Sequence, residues 1–281
     1  MTAIIELKEL SHTYSPNSVF EATAIRDINL KIYPGEMTAL IGHTGSGKST
    51  LIQHMNGLLK PTAGQVFVDG ADIHVDKKGL KLVRQKVGLV FQYPEHQLFE
   101  STVYNDVMFG LTKMEVENAD EYVKTALTAV GIGEDLYEKS PFELSGGQKR
   151  RVAIAGVLAM RPAVLILDEP TAGLDPKGRE EILSQIKSMH EQMNLTVILV
   201  SHSMDDAARL ADRVLVMDHG RVVLDGLPAD VFSQGELLRD IGLDVPQLAH
   251  VFELLNKINP NIPTGVFTME AALTALGRFR S

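Results

Sequence analysis

The chain has 281 residues, of which 44% are hydrophobic and none is cysteine, and its formal net charge is −9. This length provides for one large domain, or for one domain with a small appendage. The acidic balance argues against sequence-independent binding to nucleic acid. The absence of cysteine excludes a disulfide framework or a thiolate zinc site, and it favours a reducing cytoplasm.

Residues 3–40 alternate short β-type runs with turn signals. The first eight residues predict a strand rather than a signal peptide, and no uncharged apolar run approaches the roughly 18 residues of a membrane-spanning helix. A soluble chain is therefore expected. Tyr14 ends one of the early strands, where an aromatic ring either fills the core or stacks on a nucleotide base.

Residues 38–55 predict a strand, a glycine-rich loop and a helix. Gly42 follows the apolar stretch 38–41, and four residues separate it from Gly47, Lys48 and Ser49. Such a loop directs backbone N–H groups at phosphates, its lysine reaches the outer phosphates, and its serine hydroxyl is a ligand for Mg²⁺. The stretch predicts a nucleoside triphosphate site formed by Gly42, His43, Thr44, Gly45, Ser46, Gly47, Lys48, Ser49 and Thr50.

Residues 87–91 form a continuous apolar run typical of a buried strand, and Gln92 follows it. Its amide either faces Mg²⁺ or the attacking water, or is a polar loop group in solvent. Residues 103–136 then show helical spacing of apolar positions, which predicts packing.

The next informative stretch is 144–148, Leu-Ser-Gly-Gly-Gln, at the start of a predicted helix. A serine and two glycines at this place either present free N–H groups to an anion or provide an ordinary N-cap through Ser145. A second phosphate site on one chain requires another phosphate-bearing partner, or the same nucleotide approached from another subunit.

Residues 163–170 predict a central strand that ends in Asp168 and Glu169. Downstream of a phosphate loop, Asp168 is expected to hold Mg²⁺ and Glu169 to orient or deprotonate the attacking water. A helix is predicted over 179–193, and the apolar strand 195–200 delivers His202. Since ligands bind at the carboxyl edge of parallel strands, Gly42, Gln92, the acidic pair and His202 are expected to share one site.

In this combination and order, the motifs resemble the nucleotide-binding subunit of ATP-binding cassette (ABC) transporters. The resemblance covers about residues 4–228 and depends most on the signature 145–148, which separates this family from other phosphate-loop proteins. It implies an α/β fold, with a RecA-like core, an antiparallel β subdomain and a helical subdomain at about 93–160.

The resemblance also implies a head-to-tail pair of cassettes, in which Ser145, Gly146, Gly147 and Gln148 of one chain close over the ATP of the other. Tyr14 then matches the aromatic that stacks on adenine, and Glu169 with His202 matches the pair that governs hydrolysis. One departure is Ala172, where many members have serine before Leu174-Asp175, so a contact between the two sites is expected to be weaker.

Within the family, residues 91–99 and 151–160 resemble the energy-coupling factor ATPases, and more specifically the second of their two paralogous subunits. This branch implies a paralogous ATPase or a second copy as partner, a transmembrane coupling subunit docked near residues 93–99, and substrate-binding membrane subunits. It implies a peripheral position on the cytoplasmic face of the membrane and no nucleic acid. The transported substrate is a property of the other subunits.

Residues 229–281 depart from the α/β pattern. A helix is expected to start at about Asp244, and Thr268 is expected to cap another that runs to Leu276. These helices are too few for a core of their own, so they are expected to pack on the cassette or on a partner.

The alternatives to an energy-coupling factor ATPase are a conventional importer ATPase and a non-transport cassette acting on nucleic acid or ribosomes. A phosphate-loop kinase or GTPase does not explain the signature.

Overall fold

The computed structural model describes residues 2–75 and 77–277. Met1, Asp76 and residues 278–281, which the predicted domains include, lie outside the described residues. The strands are β1 (Ile5–Tyr14), β2 (Ala22–Ile32), β3 (Met37–Ile41), β4 (Ala63–Val68), β5 (Ala71–Asp72), β6 (Val87–Val90), β7 (Val164–Asp168), β8 (Thr196–Val200), β9 (Arg213–Asp218) and β10 (Arg221–Gly226). The α-helices are α1 (Lys48–Met55), α2 (Lys77–Lys86), α3 (Val103–Lys113), α4 (Ala119–Ala129), α5 (Gly146–Leu158), α6 (Pro176–Met193), α7 (Met204–Leu210), α8 (Pro228–Phe232), α9 (Gly235–Asp240), α10 (Gln247–Ile258) and α11 (Met269–Gly277).

Six strands form the central sheet in the order β10-β9-β3-β8-β7-β6. The pairs from β9 to β6 are parallel, and β10 is antiparallel to β9. Every residue of β3, β7 and β8 is buried, which explains their continuous apolar sequences. The carboxyl ends of β3, β6, β7 and β8 therefore meet at one edge, where the predicted site residues follow.

Four strands form a smaller antiparallel sheet in the order β2-β1-β4-β5. Its inward side chains, including Ile5 and Leu7, belong to the same apolar cluster as Leu51 and Ile52 of α1 and Ile166 of the central sheet. Helix α1 is thereby fixed between the two sheets, and the phosphate loop that precedes it is anchored on both sides.

The helical pattern over 103–136 corresponds to two helices, α3 and α4. After α3, the chain turns through Glu115 and Asn118, both in the left-handed region with φ of 55° and 56°, before α4 begins. Helix α6 also starts earlier than predicted, at Pro176, because the Asp175 carboxylate accepts a hydrogen bond from the Gly178 N–H at 2.8 Å and caps the helix.

Of the C-terminal helices, α8, α9 and α10 share an apolar cluster with the central sheet, whereas α11 packs in a separate cluster with α10. Phe232 and Leu238, from α8 and α9, share an apolar cluster with Ala39 and Ile41 of β3. Helix α10 is close to the predicted position, and the Thr268 hydroxyl accepts a hydrogen bond from the Ala271 N–H at 3.3 Å at the start of α11, as expected of a cap. Across the described part of the chain, no helix combines the length and the apolar character needed to cross a membrane.

Candidate nucleotide-binding site

The phosphate loop, residues 42–47, joins β3 to α1 with a glycine at the helix start. Gly47 has φ of 105°, and a Cβ at this position would lie 2.7 Å from the carbonyl oxygen of Ala24. Glycine is therefore required by both the backbone conformation and the close approach of β2. No described side chain caps α1 at Gly47, so the first N–H groups of the helix are directed at the loop.

Lys48 is curled back over this loop. Its buried ammonium donates to the carbonyl oxygens of Gly42 at 2.6 Å and His43 at 3.0 Å. Burial lowers the pKa of Lys48, whereas the carboxylates of Glu169 and Asp168 act in the opposite direction. A buried ammonium held only by carbonyl oxygens is suited to an anionic ligand, because phosphate oxygens would satisfy it more strongly.

Asp168 is the last residue of β7 and lies behind the loop. The Ser49 hydroxyl approaches its carboxylate at 3.5 Å. Burial and the neighbouring Glu169 raise the pKa of Asp168, against the effect of Lys48. A hydroxyl and a carboxylate oxygen are ligands that Mg²⁺ accepts, and a cation would relieve the cost of burying this charge. The donor set therefore fits a magnesium ion.

Glu169 is held by two side chains from neighbouring strand ends. The Gln92 amide donates to one carboxylate oxygen at 2.8 Å, and His202 Nε2 lies 2.7 Å from the other. Glu169 has φ of 48°, which is uncommon for a residue with a side chain, and its N–H donates to the Val200 carbonyl at 3.1 Å. Such a conformation is typical of functional sites where neighbouring structure fixes a strained residue.

These groups surround a cleft of about 520 Å³. Its lining comprises Ala24, Thr44, Gly45, Gly47, Lys48, Ser49, Thr50, Gln92, Glu169 and His202. Gly42, His43, Ser46 and Asp168 are predicted site residues outside this lining. Tyr14 flanks the cleft, where its hydroxyl lies 3.2 Å from the Thr50 hydroxyl and its ring is 40% exposed.

The signature residues 145–148 also lie outside the lining of the cleft. The Ser145 hydroxyl accepts a hydrogen bond from the Gln148 N–H at 3.3 Å, and the Gln148 amide oxygen accepts one from the Ser145 N–H at 2.9 Å. Ser145 is therefore an N-cap. A Cβ on Gly146 or Gly147 would meet no described atom within 4 Å. The helix start is thus open to a ligand or partner from outside.

The role of Arg150 was missed by the sequence analysis. Its guanidinium is 1% exposed and bonds to both Glu95 carboxylate oxygens, at 2.8 and 3.2 Å. It also donates to the carbonyl oxygens of Pro170 and Ala172, at 2.9 and 2.8 Å. One cation thereby joins the signature helix, the 3₁₀ turn Pro94–Gln97 and the segment after Glu169.

A second ion pair, in which only the carboxylate is buried, was also missed. Arg179 of α6 donates to the Asp206 carboxylate at 2.8 Å and to the Ser203 hydroxyl at 2.6 Å. Ser203 caps α7 directly after His202. The segment that presents His202 is therefore braced against the helix that follows Asp175.

Comparisons with known proteins agree with this geometry. A family model described as ABC transporter matches residues 25–172. The energy-coupling factor transporter ATP-binding protein EcfA2 of Clostridium tetani is 55% identical, with 95% of this chain and 94% of the relative covered. The protein of the same name from Clostridium perfringens is 54% identical, with coverages of 97% and 96%.

Two solved structures show the same fold. CbiO1 from Clostridium perfringens, described as part of the ABC transporter complex CbiONQ, has a TM-score of 0.77 and 43% identity and covers 90% of this chain and 100% of its own. The ATP-binding cassette MJ0796, in a dimeric post-hydrolysis state with ADP and phosphate, has a TM-score of 0.71 and 30% identity, with coverages of 80% and 98%. These findings confirm the predicted fold class. The chain belongs to the ABC transporter family and, within it, to the energy-coupling factor ATP-binding subunits of the EcfA2 type, which are ATPases that drive transport.

Proposed function

We propose that this chain hydrolyses ATP at composite sites formed with a second cassette, and thereby powers uptake of a vitamin or another micronutrient through membrane subunits. The observation that supports the catalytic assignment is the position of Glu169. Gln92 and His202 hold its two carboxylate oxygens at the mouth of the phosphate-loop cleft.

Each side chain around the cleft has a role in this chemistry. The Glu169 carboxylate orients the attacking water and accepts its proton, while His202 and Gln92 keep the carboxylate turned toward the cleft. Lys48 exchanges its two backbone carbonyl partners for the outer phosphates of ATP. Ser49, Asp168 and Gln92 would hold Mg²⁺, which would supply positive charge to offset the negative charge on the phosphate oxygens.

Two further elements complete nucleotide binding. Tyr14, half exposed beside Thr50, stacks on the adenine. The open helix start at Ser145, Gly146, Gly147 and Gln148 closes over the ATP of the partner cassette, which is a paralogous ATPase or a second copy of this chain. The dimeric state of the structural relative MJ0796 supports this arrangement.

The membrane partners dock beside the 3₁₀ turn Pro94–Gln97. Four aromatic side chains are exposed on this side of the helical region, namely Tyr93, Phe99, Phe109 and Phe142. The rings of Phe99 and Phe109 lie 4.9 Å apart, edge to face, and exposed apolar surface of this kind is typical of an interface. A coupling subunit seated here places the chain on the cytoplasmic face of the membrane, with substrate-binding membrane subunits beyond it.

The cassette comprises residues 1–228, with its helical subdomain at about 93–160, and residues 229–281 form an extension that contacts the partner cassette. Its helices pack inward on the central sheet but leave Val251, Leu254 and Ile258 of α10 exposed. Leu273 of α11 is also exposed. These apolar side chains support a role in dimer contact.

The catalytic part of the proposal is tested with Glu169→Gln in the assembled transporter. Gln preserves size and hydrogen bonding to His202 but accepts no proton, so turnover is expected to fall at least about a hundredfold while ATP binding persists. The matched control is Glu138→Gln, because Glu138 is exposed and outside the cleft. Turnover near that of the control would refute the role of Glu169.

The partner assignment is tested by purifying the chain from native membranes in mild detergent and identifying the co-purifying proteins. Recovery of a second cassette, one coupling membrane protein and several small membrane proteins supports the energy-coupling factor assembly. Recovery with one dedicated permease indicates a conventional importer ATPase. Salt-sensitive retention of nucleic acid indicates a non-transport cassette, which the net charge of −9 disfavours.

A further inference from the structure

His43 occupies the position after the first glycine of the phosphate loop, yet its side chain is turned away from the cleft. Its Nε2 lies 2.9 Å from a carboxylate oxygen of Asp218, at the end of β9, and its Nδ1 lies 2.8 Å from the carbonyl oxygen of Thr44. The phosphate-binding function of the loop uses backbone groups at this position, so it does not explain the imidazole.

Both nitrogens of this ring lie against oxygen atoms. A carbonyl and an ionised carboxylate only accept hydrogen bonds, whereas a neutral imidazole has a single N–H. A neutral ring would therefore direct a lone pair at one of the two oxygens. A metal ion bound by Nε2 and by the Asp218 carboxylate removes this conflict. With Nδ1–H donated to the Thr44 carbonyl, Nε2 is the ligand atom, as is usual for histidines that bind metals.

His219 supplies a third ligand at the same point. Its Nε2 lies 3.8 Å from the same oxygen of Asp218, and its side chain is 84% exposed, so it can rotate freely. Among the described residues, His43, Asp218 and His219 form a group whose ligand atoms all lie within 4.8 Å of one another. A tetrahedral ion at about 2.1 Å from each ligand needs separations of about 3.4 Å, which lie within the range observed here.

The turn between β9 and β10 fixes this arrangement. His219 and Gly220 both have positive φ, of 43° and 77°, as in the two-residue turns that close hairpins. The Gly220 N–H donates to the Ser46 carbonyl at 3.0 Å, which ties the hairpin to the phosphate loop. Asp218 and His219 are thereby held beside His43.

We infer that His43, Asp218 and His219 form a binding site for a late first-row divalent metal ion such as Zn²⁺, Co²⁺ or Ni²⁺. Two imidazoles and one carboxylate with an open position suit these ions, whereas Mg²⁺ prefers oxygen ligands. The site is separate from the predicted magnesium ligands Ser49 and Asp168. An ion bound here links the phosphate loop directly to the β9–β10 hairpin.

The inference is tested on the untagged, nucleotide-free full chain in saturating Mg²⁺, by titration with Co²⁺ followed by visible absorption and by competition with Zn²⁺. The wild-type chain is expected to bind one equivalent with the absorption bands of nitrogen-ligated, low-coordinate cobalt. Zn²⁺ is also expected to raise the melting temperature of the wild-type chain, because it binds the folded state.

The informative variant is His219→Asn, because asparagine tolerates the left-handed backbone of this turn while lacking the imidazole. It is expected to lower metal affinity at least about tenfold. Asp218→Asn is expected to do the same, and His250→Asn, at an exposed histidine elsewhere, serves as the matched control. Equal affinity in the wild-type chain and His219→Asn would overturn the inference.

Discussion

Helices α1 and α5 both begin at glycine-rich segments, but their starts differ in chemistry. Helix α1 begins inside a cleft, with a buried ammonium at its first residue and acidic groups opposite. Helix α5 begins at the surface, is capped by its own Ser145 and Gln148, and has open space around Gly146 and Gly147. The first start can receive a triphosphate within this chain, whereas the second requires a ligand presented from outside. This difference supports the proposal that the chain provides unlike halves of two sites.

The difference between the starts of α1 and α5 is tested most strongly by Gly147→Asp. A carboxylate in the first turn of α5 is compatible with the helix dipole, and a Cβ at Gly147 meets no described atom within 4 Å, so folding is expected to be preserved. It would repel the phosphates of the partner's ATP, and turnover of the assembled pair is expected to fall about a hundredfold or more.

ATP binding by the isolated Gly147→Asp chain should match that of wild type, measured by equilibrium titration. Lys48→Met is the converse variant, since it should weaken binding in the isolated chain itself. A loss of binding in isolated Gly147→Asp would show that the two helix starts serve one site within the chain.

The next prediction concerns Arg150, which joins the signature helix α5 to the segment that follows Glu169. Arg150→Met leaves Glu95 and two carbonyl oxygens without their donor, and breaking a buried pair of this kind costs about 3 kcal/mol of unfolding free energy. Urea denaturation measures this loss. The double variant Arg150→Met, Glu95→Gln should recover part of it, because no unpaired charge then remains. No recovery would indicate that the carbonyl contacts dominate.

A smaller effect is expected at Tyr14. Tyr14→Ala should weaken ATP binding about tenfold through loss of base stacking, as measured by titration calorimetry. Tyr14→Phe keeps the ring and removes only the contact with the Thr50 hydroxyl, so it should bind nearly as wild type. An equal loss of ATP affinity in both variants would show that Tyr14 contributes through its hydroxyl rather than through its ring.

The smallest predicted effect is on the thermal stability of the nucleotide-free chain, through Asp168. Because the pKa of Asp168 is raised in the folded chain, its ionised form is destabilising, and stability from this group increases as pH falls through the raised pKa. Asp168→Asn should therefore raise the melting temperature of the nucleotide-free chain near pH 7 by about 1–3 °C. The gain should shrink in mildly acidic buffer, and a gain that is independent of pH would contradict this cause.

Sequence analysis could predict the roles of residues that belong to short motifs of neighbouring positions in the chain. The phosphate loop, Asp168 with Glu169, and the strand preceding His202 are defined within a few residues, and their convergence follows from the parallel sheet. For Ser145, the sequence allowed a cap and an anion site; the structure confirms the cap, and the anion role stays a prediction.

The side-chain pairs that brace the site could not be predicted in this way. Arg150 and Glu95 are 55 residues apart, and His43 and Asp218 are 175 apart. No periodicity relates such positions, because tertiary packing brings them together. The early start of α6 was a different kind of miss, since the Asp175-Pro176 signal for a helix start was present in the sequence.

The packing of the C-terminal helices on β3 has a practical consequence for truncated proteins. Phe232 and Leu238 cover Ala39 and Ile41, and Ile41 immediately precedes the first residue of the phosphate loop. A protein shortened to residues 1–228 would keep every motif residue but lose one wall of the strand that presents them. Its nucleotide affinity would then report on a β3 that has lost part of its apolar cover, so measurements on this cassette need residues 229–277 in place.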